Sequence, residues 1–308
     1  MIAPRHLKRG DRVALVAPAG KITREVLTRA VRVLEQWDLK VMVGDNVMSK
    51  SHSYLAGSDE ERLVDLQEAL DSRRIKAIFC ARGGYGTTRI VDHVDLTKFK
   101  KYPKWIVGFS DITALHLLML RAGFESIHAS MPSQFSDPAA RPSVESLHDL
   151  LFGNAPAISA PSASGNIEGE ASGMVIGGNL SILLDAMGTP IEPETKGRIL
   201  VIEEIDEFKY KLDRMMTQLK RTGKLDKLAG LAIGYMTGIK DSNTPFGESV
   251  QEILLRHVKD ADYPVAFGLP IGHEHPNAAW RHGSRMKLKV TQEGATLMPT
   301  AYSLRVGD

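Results

Sequence analysis

The sequence has little of what several protein classes require. It contains one cysteine, Cys80, so no disulfide can form within the chain and metal motifs that need two cysteines are excluded. No block of five or more like charges occurs, and the formal net charge is only +2. A general electrostatic attraction to nucleic acid or to an anionic membrane is therefore not expected.

Long hydrophobic runs are also missing. No apolar stretch reaches the length of a membrane span. Near the amino terminus, the apolar run at 13–18 directly follows Arg9, Asp11 and Arg12, and it is too short for the hydrophobic region of a signal peptide. The sequence therefore predicts a soluble cytoplasmic protein that contacts neither nucleic acid nor membrane.

What is present is typical of a globular protein with two domains. The chain has 308 residues, of which 43% are hydrophobic and 25% charged. In the first half, short apolar runs alternate with amphipathic stretches, which predicts a parallel sheet with helices on both faces. Strands are predicted at 13–17, 40–43, 76–80 and 105–108, and helices at 23–37, 59–71 and 112–120.

The alternating pattern stops at a stretch rich in Gly, Ala, Pro and Ser, which is typical of a linker. We predict an N-terminal domain at 1–152, a linker at 153–168 and a mixed α/β C-terminal domain at 169–308. The predicted strands there are 174–176, 198–202, 230–233, 265–267, 286–290 and 296–298, and the helices 180–186, 209–221 and 249–258.

Two motifs in the first half could carry chemistry. The run 80–87 (CARGGYGT) follows a predicted strand, and its glycines would expose backbone amides to an anion or an oxyanion. It lacks the spacing of a Walker or dinucleotide loop, and alone it is typical of a plain turn. The run 108–113 (GFSDIT) places Ser110 between a strand and a helix, as in a nucleophile elbow. Alternatively, Ser110 or Asp111 is only a helix N-cap.

Two motifs in the second half complement them. The strand 200–202 delivers Glu203 at its end, where a carboxylate can orient a histidine, although a solvated charge cluster is the simpler interpretation. The loop 268–277 carries His273 and His275, whose spacing does not fit the zinc-helix motif. A general base or an ordinary surface histidine are the two interpretations of His273.

Together these motifs contain a serine, an acid and a histidine, in the order Ser110, Glu203, His273. Each follows a predicted strand. They are the residue types needed for a nucleophile, an orienting group and a general base. Order along the chain does not by itself bring them together.

The chain resembles the LD-carboxypeptidase family, also called muramoyltetrapeptide carboxypeptidases, along nearly its full length. The resemblance rests on several separate motifs in a consistent order. They are 16–20 (VAPAG), 54–57 (YLAG), 81–86 (ARGGYG), 108–113 (GFSDIT), 177–180 (GGNL), 202–204 (IEE) with Tyr210, Asp213 and Arg214, and Gly272 with His273.

The resemblance implies roles for particular residues. Ser110 corresponds to the nucleophile of the family, Glu203 to its acid and His273 to its general base. The oxyanion hole would use the amides of Asp111 and Gly84. The substrate-binding residues would include Tyr85 and Arg82, the first choice for the terminal carboxylate ahead of Arg89 and Arg214. For each arginine, a salt bridge or an ordinary surface position is the simpler interpretation.

The resemblance also implies a fold and an activity. The fold is a flavodoxin-like parallel-sheet N-terminal domain plus a smaller mixed α/β C-terminal domain, with the active site in the cleft between them. The activity is hydrolysis of the L,D bond to the terminal D-alanine of murein tetrapeptides, in peptidoglycan recycling. Family members are typically cytoplasmic homodimers, and neither metal nor organic cofactor is implied.

This sequence departs from the family pattern at positions where we expect substrate contacts. The departures are Glu204, Glu274, the run 128–130 (HAS) and the run 279–283 (AWRHG). Two alternatives follow. A microcin-immunity-type serine peptidase would cleave a peptidyl-nucleotide, but the chain has only three tryptophans and no aromatic insertion for a base. A non-catalytic protein would bind an anionic peptide through the glycine loop.

Overall fold

The computed structural model of the chain describes residues 1–300, so the end of the predicted second domain, 301–308, lies outside the described residues. The chain folds into two compact units. Of the described residues, the first unit comprises Met1–Ala155 and Ala278–His282, and the second comprises Pro156–Asn277 and 283–300.

The strands and α-helices of Met1–Ala155 are β1 (Arg12–Val16), α1 (Arg24–Gln36), β2 (Lys40–Val43), α2 (Asp59–Asp71), β3 (Ile75–Cys80), β4 (Trp105–Gly108), α3 (Thr113–Ala122), β5 (Ser126–His128) and α4 (Arg141–Leu151). Those that follow are β6 (Ile158–Pro161), β7 (Gly169–Asn179), α5 (Leu180–Asp185), β8 (Arg198–Ile205), α6 (Lys209–Arg221), β9 (Gly230–Thr237), α7 (Val250–Val258), β10 (Val265–Ala266), β11 (Trp280–His282), β12 (Arg285–Thr291) and β13 (Gly294–Pro299).

The sheet of the first unit has the strand order β2-β1-β3-β4-β5, with all five strands parallel. This is the flavodoxin-like order 2-1-3-4-5, and it confirms the predicted fold class. The central strands are continuous buried apolar runs, as in β4, because both faces of a parallel sheet are covered. The order reverses between β1 and β3, and at such a point the loops beyond the carboxyl ends of the strands diverge and leave a crevice.

Alternate side chains of these strands pack on opposite faces of the sheet. One face forms a single hydrophobic cluster with α1 and α4, to which α2 and α3 contribute nothing. Helix α2 begins at a capping box in which Ser58 and Glu61 satisfy each other's backbone amides. Within residues 1–300, no helix is long and apolar enough to cross a membrane.

The second unit contains a mixed sheet of order β10-β9-β8-β7-β12-β13-β6. Strands β7 to β10 are parallel, whereas β12, β13 and β6 are antiparallel to their neighbours. Helices α5, α6 and α7 lie along the chain between the parallel strands. This confirms the prediction of a mixed α/β second half.

The structure differs from the predicted linker, because strand β6 lies inside 153–168. Its residues alternate between buried and exposed, starting with buried Ile158, and pair with β13 at the edge of the sheet. Pro161 is compatible with this position, because an edge strand has backbone amides that need no partner in the sheet. The alternation of buried and exposed residues spans only four positions. It was therefore not recognised within a stretch whose Ala, Pro and Ser content is typical of a linker.

The structure also differs from the predicted continuous second domain, because β11 returns to the first unit. It pairs antiparallel with β5, placing Trp280 opposite His128. Arg281 lies over the ring of Trp105 at 5.9 Å, and its Nε donates to Glu125 Oε2 at 2.8 Å. Residues that we expected to contact substrate are therefore buried in a sheet. A strand of three residues is too short to show an alternating pattern, so the sequence did not predict β11.

The ion pair between Glu125 and Arg281 is almost fully buried and offers a test of how β11 is held. Glu125→Gln removes the carboxylate charge from a buried ion pair, so we expect the free energy of unfolding to fall by about 3 to 5 kcal/mol. Urea denaturation measures this. The matched control is Glu145→Gln, which removes the exposed pair with Arg141 and should change little. Equal effects of the two substitutions would contradict the assignment of β11 to this sheet.

Candidate functional site

The backbone of Ser110 has the geometry of a strained turn. β4 ends at Gly108, Phe109 is extended, and Ser110 has a φ of +61° before α3 begins at Thr113. A positive φ is uncommon for a residue with a side chain and costs about 1 to 3 kcal/mol, and such strained residues cluster at active sites. A helix N-cap has extended backbone instead. Ser110 therefore matches a nucleophile elbow better than a cap.

The glycine loop after β3 lies directly against this turn. A Cβ added to Gly83 would be 3.2 Å from Ser110 Cβ, 3.3 Å from its Oγ and 3.4 Å from the backbone nitrogen of Asp111. Gly20, in the loop after β1, donates its amide to the Gly83 carbonyl at 3.0 Å. Gly84, a predicted oxyanion residue, has a φ of +102°. The structure thus brings the loops after β1, β3 and β4 together at one edge of the sheet.

Two buried charged side chains hold the glycine loop. Asp111 Oδ2 accepts a hydrogen bond from the Thr87 amide at 2.9 Å. Arg62 Nη1 donates to the Gly86 carbonyl at 2.8 Å and also to the carbonyl of Pro18. Sequence reasoning missed Arg62, although a signal existed. It occupies the face of α2 that also carries Leu66, where an apolar residue is expected and a charge needs a buried partner.

The predicted acid and base contact each other in the second unit. Glu203, at the carboxyl end of β8, is fully buried, and its Oε2 accepts a hydrogen bond from His273 Nδ1 at 2.6 Å. Because a carboxylate only accepts, Nδ1 carries the proton, and in the neutral imidazole Nε2 is then the basic nitrogen. This is the arrangement that a general base requires. The alternative interpretation of Glu203 as part of a solvated charge cluster is wrong.

The backbone of the histidine loop fits closely around Glu203. Gly272 has a φ of +125°, and a Cβ there would be 2.9 Å from Glu203 Oε2. Its amide donates to Asn277 Oδ1 at 3.0 Å, which closes the loop on itself. A glycine is therefore required before His273, both for the dihedral angle and for the close approach.

The neighbouring Glu204 has different partners. Its carboxylate accepts hydrogen bonds from Asn179 Nδ2 at 3.0 Å, the Ser181 amide at 2.7 Å and Ser181 Oγ at 2.6 Å. Burial raises the pKa of Glu204, while these donors act in the opposite direction. Glu204 thus supports the start of α5, and Glu203 is the glutamate that contacts the histidine.

The residues predicted to bind substrate are on the surface of the first unit, except Arg214. Arg82 is exposed and donates from Nη1 to the Lys21 carbonyl at 3.1 Å. Tyr85 is also exposed. Arg89 makes a two-point ion pair with Asp59, so its guanidinium already has a counter-charge. Arg82 thus donates to a backbone carbonyl, whereas the guanidinium of Arg89 is paired with a carboxylate.

Arg214 is in the second unit, where its guanidinium lies 5.3 Å from the ring centroid of Tyr210. Glu274, another departure from the family pattern, accepts a hydrogen bond from Thr237 Oγ1 at 3.2 Å. Within residues 1–300, no group of three or more His, Cys, Asp or Glu side chains is arranged to hold a metal ion.

Known proteins are similar to this chain over most of its length. Residues 13–129 match the LD-carboxypeptidase N-terminal domain, and residues 172–288 match the LD-carboxypeptidase C-terminal domain. A probable murein peptide carboxypeptidase of Bacillus subtilis is 34% identical over 96% of this chain and 93% of its own length. A murein tetrapeptide carboxypeptidase of Pseudomonas aeruginosa is 31% identical over 90% of this chain and 93% of its own.

Solved structures share the fold. The muramoyltetrapeptide carboxypeptidase from Oxalobacter formigenes has a TM-score of 0.85 and 29% identity, covering 94% of this chain and 100% of its own. The microcin C7 self-immunity protein MccF, in complex with aspartyl sulfamoyl adenosine, has a TM-score of 0.84 at 21% identity, covering 97% and 99%. That second likeness is one of fold alone. With both family domains matched over most of its length, the chain belongs to the LD-carboxypeptidase family of peptidases.

Proposed function

We propose that this protein is a serine carboxypeptidase that hydrolyses the L,D bond to the terminal D-alanine of murein tetrapeptides. Family membership supports the peptidase class, and the names of the Bacillus and Pseudomonas relatives support a murein peptide as substrate. The observation that carries the chemistry is the 2.6 Å contact between His273 Nδ1 and the buried Glu203 carboxylate. A buried carboxylate that accepts from Nδ1 prepares Nε2 to act as a base.

In the proposed mechanism Ser110, His273 and Glu203 act as one triad. His273 Nε2 removes the proton of Ser110 Oγ as the oxygen attacks the scissile carbonyl. The Glu203 carboxylate stabilises the imidazolium that forms. His273 then gives this proton to the amino group of the departing D-alanine. Water, deprotonated by the same nitrogen, releases the remaining tripeptide from Ser110.

The negative charge that develops on the carbonyl oxygen needs backbone donors. We propose the amides of Asp111 and Gly84 for this role, supported by the close approach of the neighbouring Gly83 to Ser110. For the terminal carboxylate of the substrate we propose Arg82, whose exposed guanidinium belongs to the same loop. Tyr85, exposed three residues further on, is proposed to contact the peptide.

We further propose that the protein works in the cytoplasm as a homodimer, in peptidoglycan recycling. The family resemblance is the support for location and assembly. A microcin-immunity activity is the alternative at the same triad, and nothing in the described residues favours it over the murein activity. Sedimentation analysis of the purified protein tests the dimer.

Ser110→Ala removes the proposed nucleophile. We expect release of D-alanine from a murein tetrapeptide to fall by about three orders of magnitude or more, with the melting temperature preserved. Mass spectrometry of purified muropeptides after incubation measures the loss of the terminal residue. Ser136→Ala, at an exposed loop position, is the matched control and should behave as the unmodified protein. Full turnover by Ser110→Ala would contradict the assignment of Ser110 as the nucleophile. Cleavage of a peptidyl-nucleotide by the unmodified protein, without cleavage of muropeptide, would support the alternative.

Glu203→Gln keeps the shape of the acid and removes its charge. An amide can donate to Nδ1, which favours the imidazole tautomer with its proton on Nε2, and it does not stabilise the imidazolium. We expect kcat to fall by about 10³-fold to 10⁴-fold with KM little changed. Steady-state kinetics on the tetrapeptide measure both. Glu207→Gln, which removes a half-exposed partner of Lys211, is the control. A similar small effect of both substitutions would contradict the orienting role.

Gly83→Ala tests the proposed oxyanion loop. The added methyl would approach Ser110 and the Asp111 nitrogen at 3.2 to 3.4 Å, so the loop must retreat by a few tenths of an ångström. We expect kcat to fall by about 10-fold to 100-fold, because reacting groups tolerate little displacement. Gly10→Ala is the control. Its φ of +84° makes alanine strained, but nothing lies within 4 Å, so stability should fall while turnover is preserved. Unchanged kcat in Gly83→Ala would contradict the loop's role.

A further inference from the structure

His116 is a buried titratable side chain for which the proposed mechanism has no use. It lies in α3, six residues after Ser110, and is completely buried. Its imidazole has two hydrogen-bond partners. Nε2 lies 2.9 Å from the Gly108 carbonyl oxygen, and Nδ1 lies 2.8 Å from Ser126 Oγ.

The chemistry of the partners determines the tautomer of His116. A carbonyl oxygen only accepts, so Nε2 carries the proton and donates to Gly108. In the neutral ring Nδ1 then accepts from the Ser126 hydroxyl. Burial lowers the pKa of His116 to about 4, which agrees with a neutral ring near pH 7. The ring also stacks on His282 at a centroid distance of 5.5 Å, and the ring of His128 lies 6.2 Å away.

The carbonyl of Gly108 receives a second donor, the amide of Ala129, at 3.0 Å. The Gly108 oxygen therefore accepts two hydrogen bonds, one from the amide of Ala129, which directly follows β5, and one from His116 in α3. The peptide unit that joins Gly108 to Phe109 is therefore held in one orientation. This unit leads into the turn, because Ser110 is the next residue along the chain.

The residues on the other side of Ser110 also restrict the turn. The amide of Ile112 donates to the Phe109 carbonyl at 3.2 Å, which closes the turn from the other side. A Cβ on Gly108 would lie 2.9 Å from two carbons of Ile112, so the strand end admits no side chain. A strained dihedral such as that of Ser110 persists only when its surroundings over-determine it.

We infer that His116 is a positioning residue for Ser110, which acts by donating a hydrogen bond from Nε2 to the Gly108 carbonyl and so holds the left-handed turn. The inference rests on the proposed function, in which Ser110 is the nucleophile. His116 touches neither substrate nor reacting atoms in this role. Its effect is on the fraction of molecules in which Ser110 Oγ points where the reaction needs it.

The test compares two substitutions at this position. His116→Phe keeps a planar ring and removes the donor, whereas His116→Gln retains a nitrogen that can donate at about the position of Nε2. We expect His116→Phe to lower kcat by about 10-fold to 100-fold with KM within about twofold. His116→Gln should recover most of the loss. Leu115→Ala, a buried neighbour in α3, controls for stability and should lower the melting temperature while kcat is preserved.

A crystal structure of His116→Phe supplies a readout that does not depend on the substrate. We expect φ of Ser110 to leave its value near +61° or Oγ to shift. An unchanged kcat in His116→Phe, equal losses in the Phe and Gln variants, or a lowered kcat with Ser110 unmoved would each overturn the inference. If the unmodified protein releases no D-alanine, the proposed function fails, and the crystal structure still decides whether His116 holds the turn.

Discussion

The left-handed backbone of Ser110 is the constraint on which the local structure of the first unit depends. It carries an energetic cost, so the neighbouring residues are of kinds that resist its relaxation. Gly83 lies so close to Ser110 that an added Cβ would make contacts of 3.2 to 3.4 Å, and the Asp111 carboxylate accepts a hydrogen bond from the amide of Thr87. The parallel strand order supplies the remaining condition, because it brings three loops to the same edge of the sheet.

The second unit contains two adjacent buried carboxylates, those of Glu203 and Glu204. Like charges at neighbouring positions repel, and removal from water adds to the cost unless each group has its own donors. Glu204 obtains four, one from Asn179, two from Ser181 and one from the amide of Ile205. Glu203 has a direct contact with His273. Two adjacent glutamates near the carboxyl end of β8 thus have different partners, the start of α5 for Glu204 and a histidine for Glu203.

Much of the architecture could be predicted from the sequence, because long periodic segments have strong signals. The bounds of β2, β4, α2 and α6 agree with the predicted ones, and the family was recognisable from its motifs. Capping and periodicity act over a few residues, which is the range that a sequence displays directly.

What could not be predicted depends on partners distant along the chain. β6 and β11 are short strands that pair with β13 and β5, which lie far from them along the chain. Arg62 and His116 gain their roles from carbonyl groups in other loops and strands, and no local pattern records a carbonyl. The positive φ of Ser110 could not be predicted either, because a serine does not favour this conformation and distant residues hold it there.

The return of β11 to the first sheet has a consequence for how this protein can be divided. The chain leaves the first unit after Ala155, re-enters it for Ala278–His282 and leaves again. The loop that carries His273 therefore has one end on β10 and the other on β11, each belonging to a different sheet. Neither unit is a contiguous stretch of gene. A recombination point near residue 155 would separate β5 from its edge strand, so exchange of halves between relatives would have to carry that short strand along.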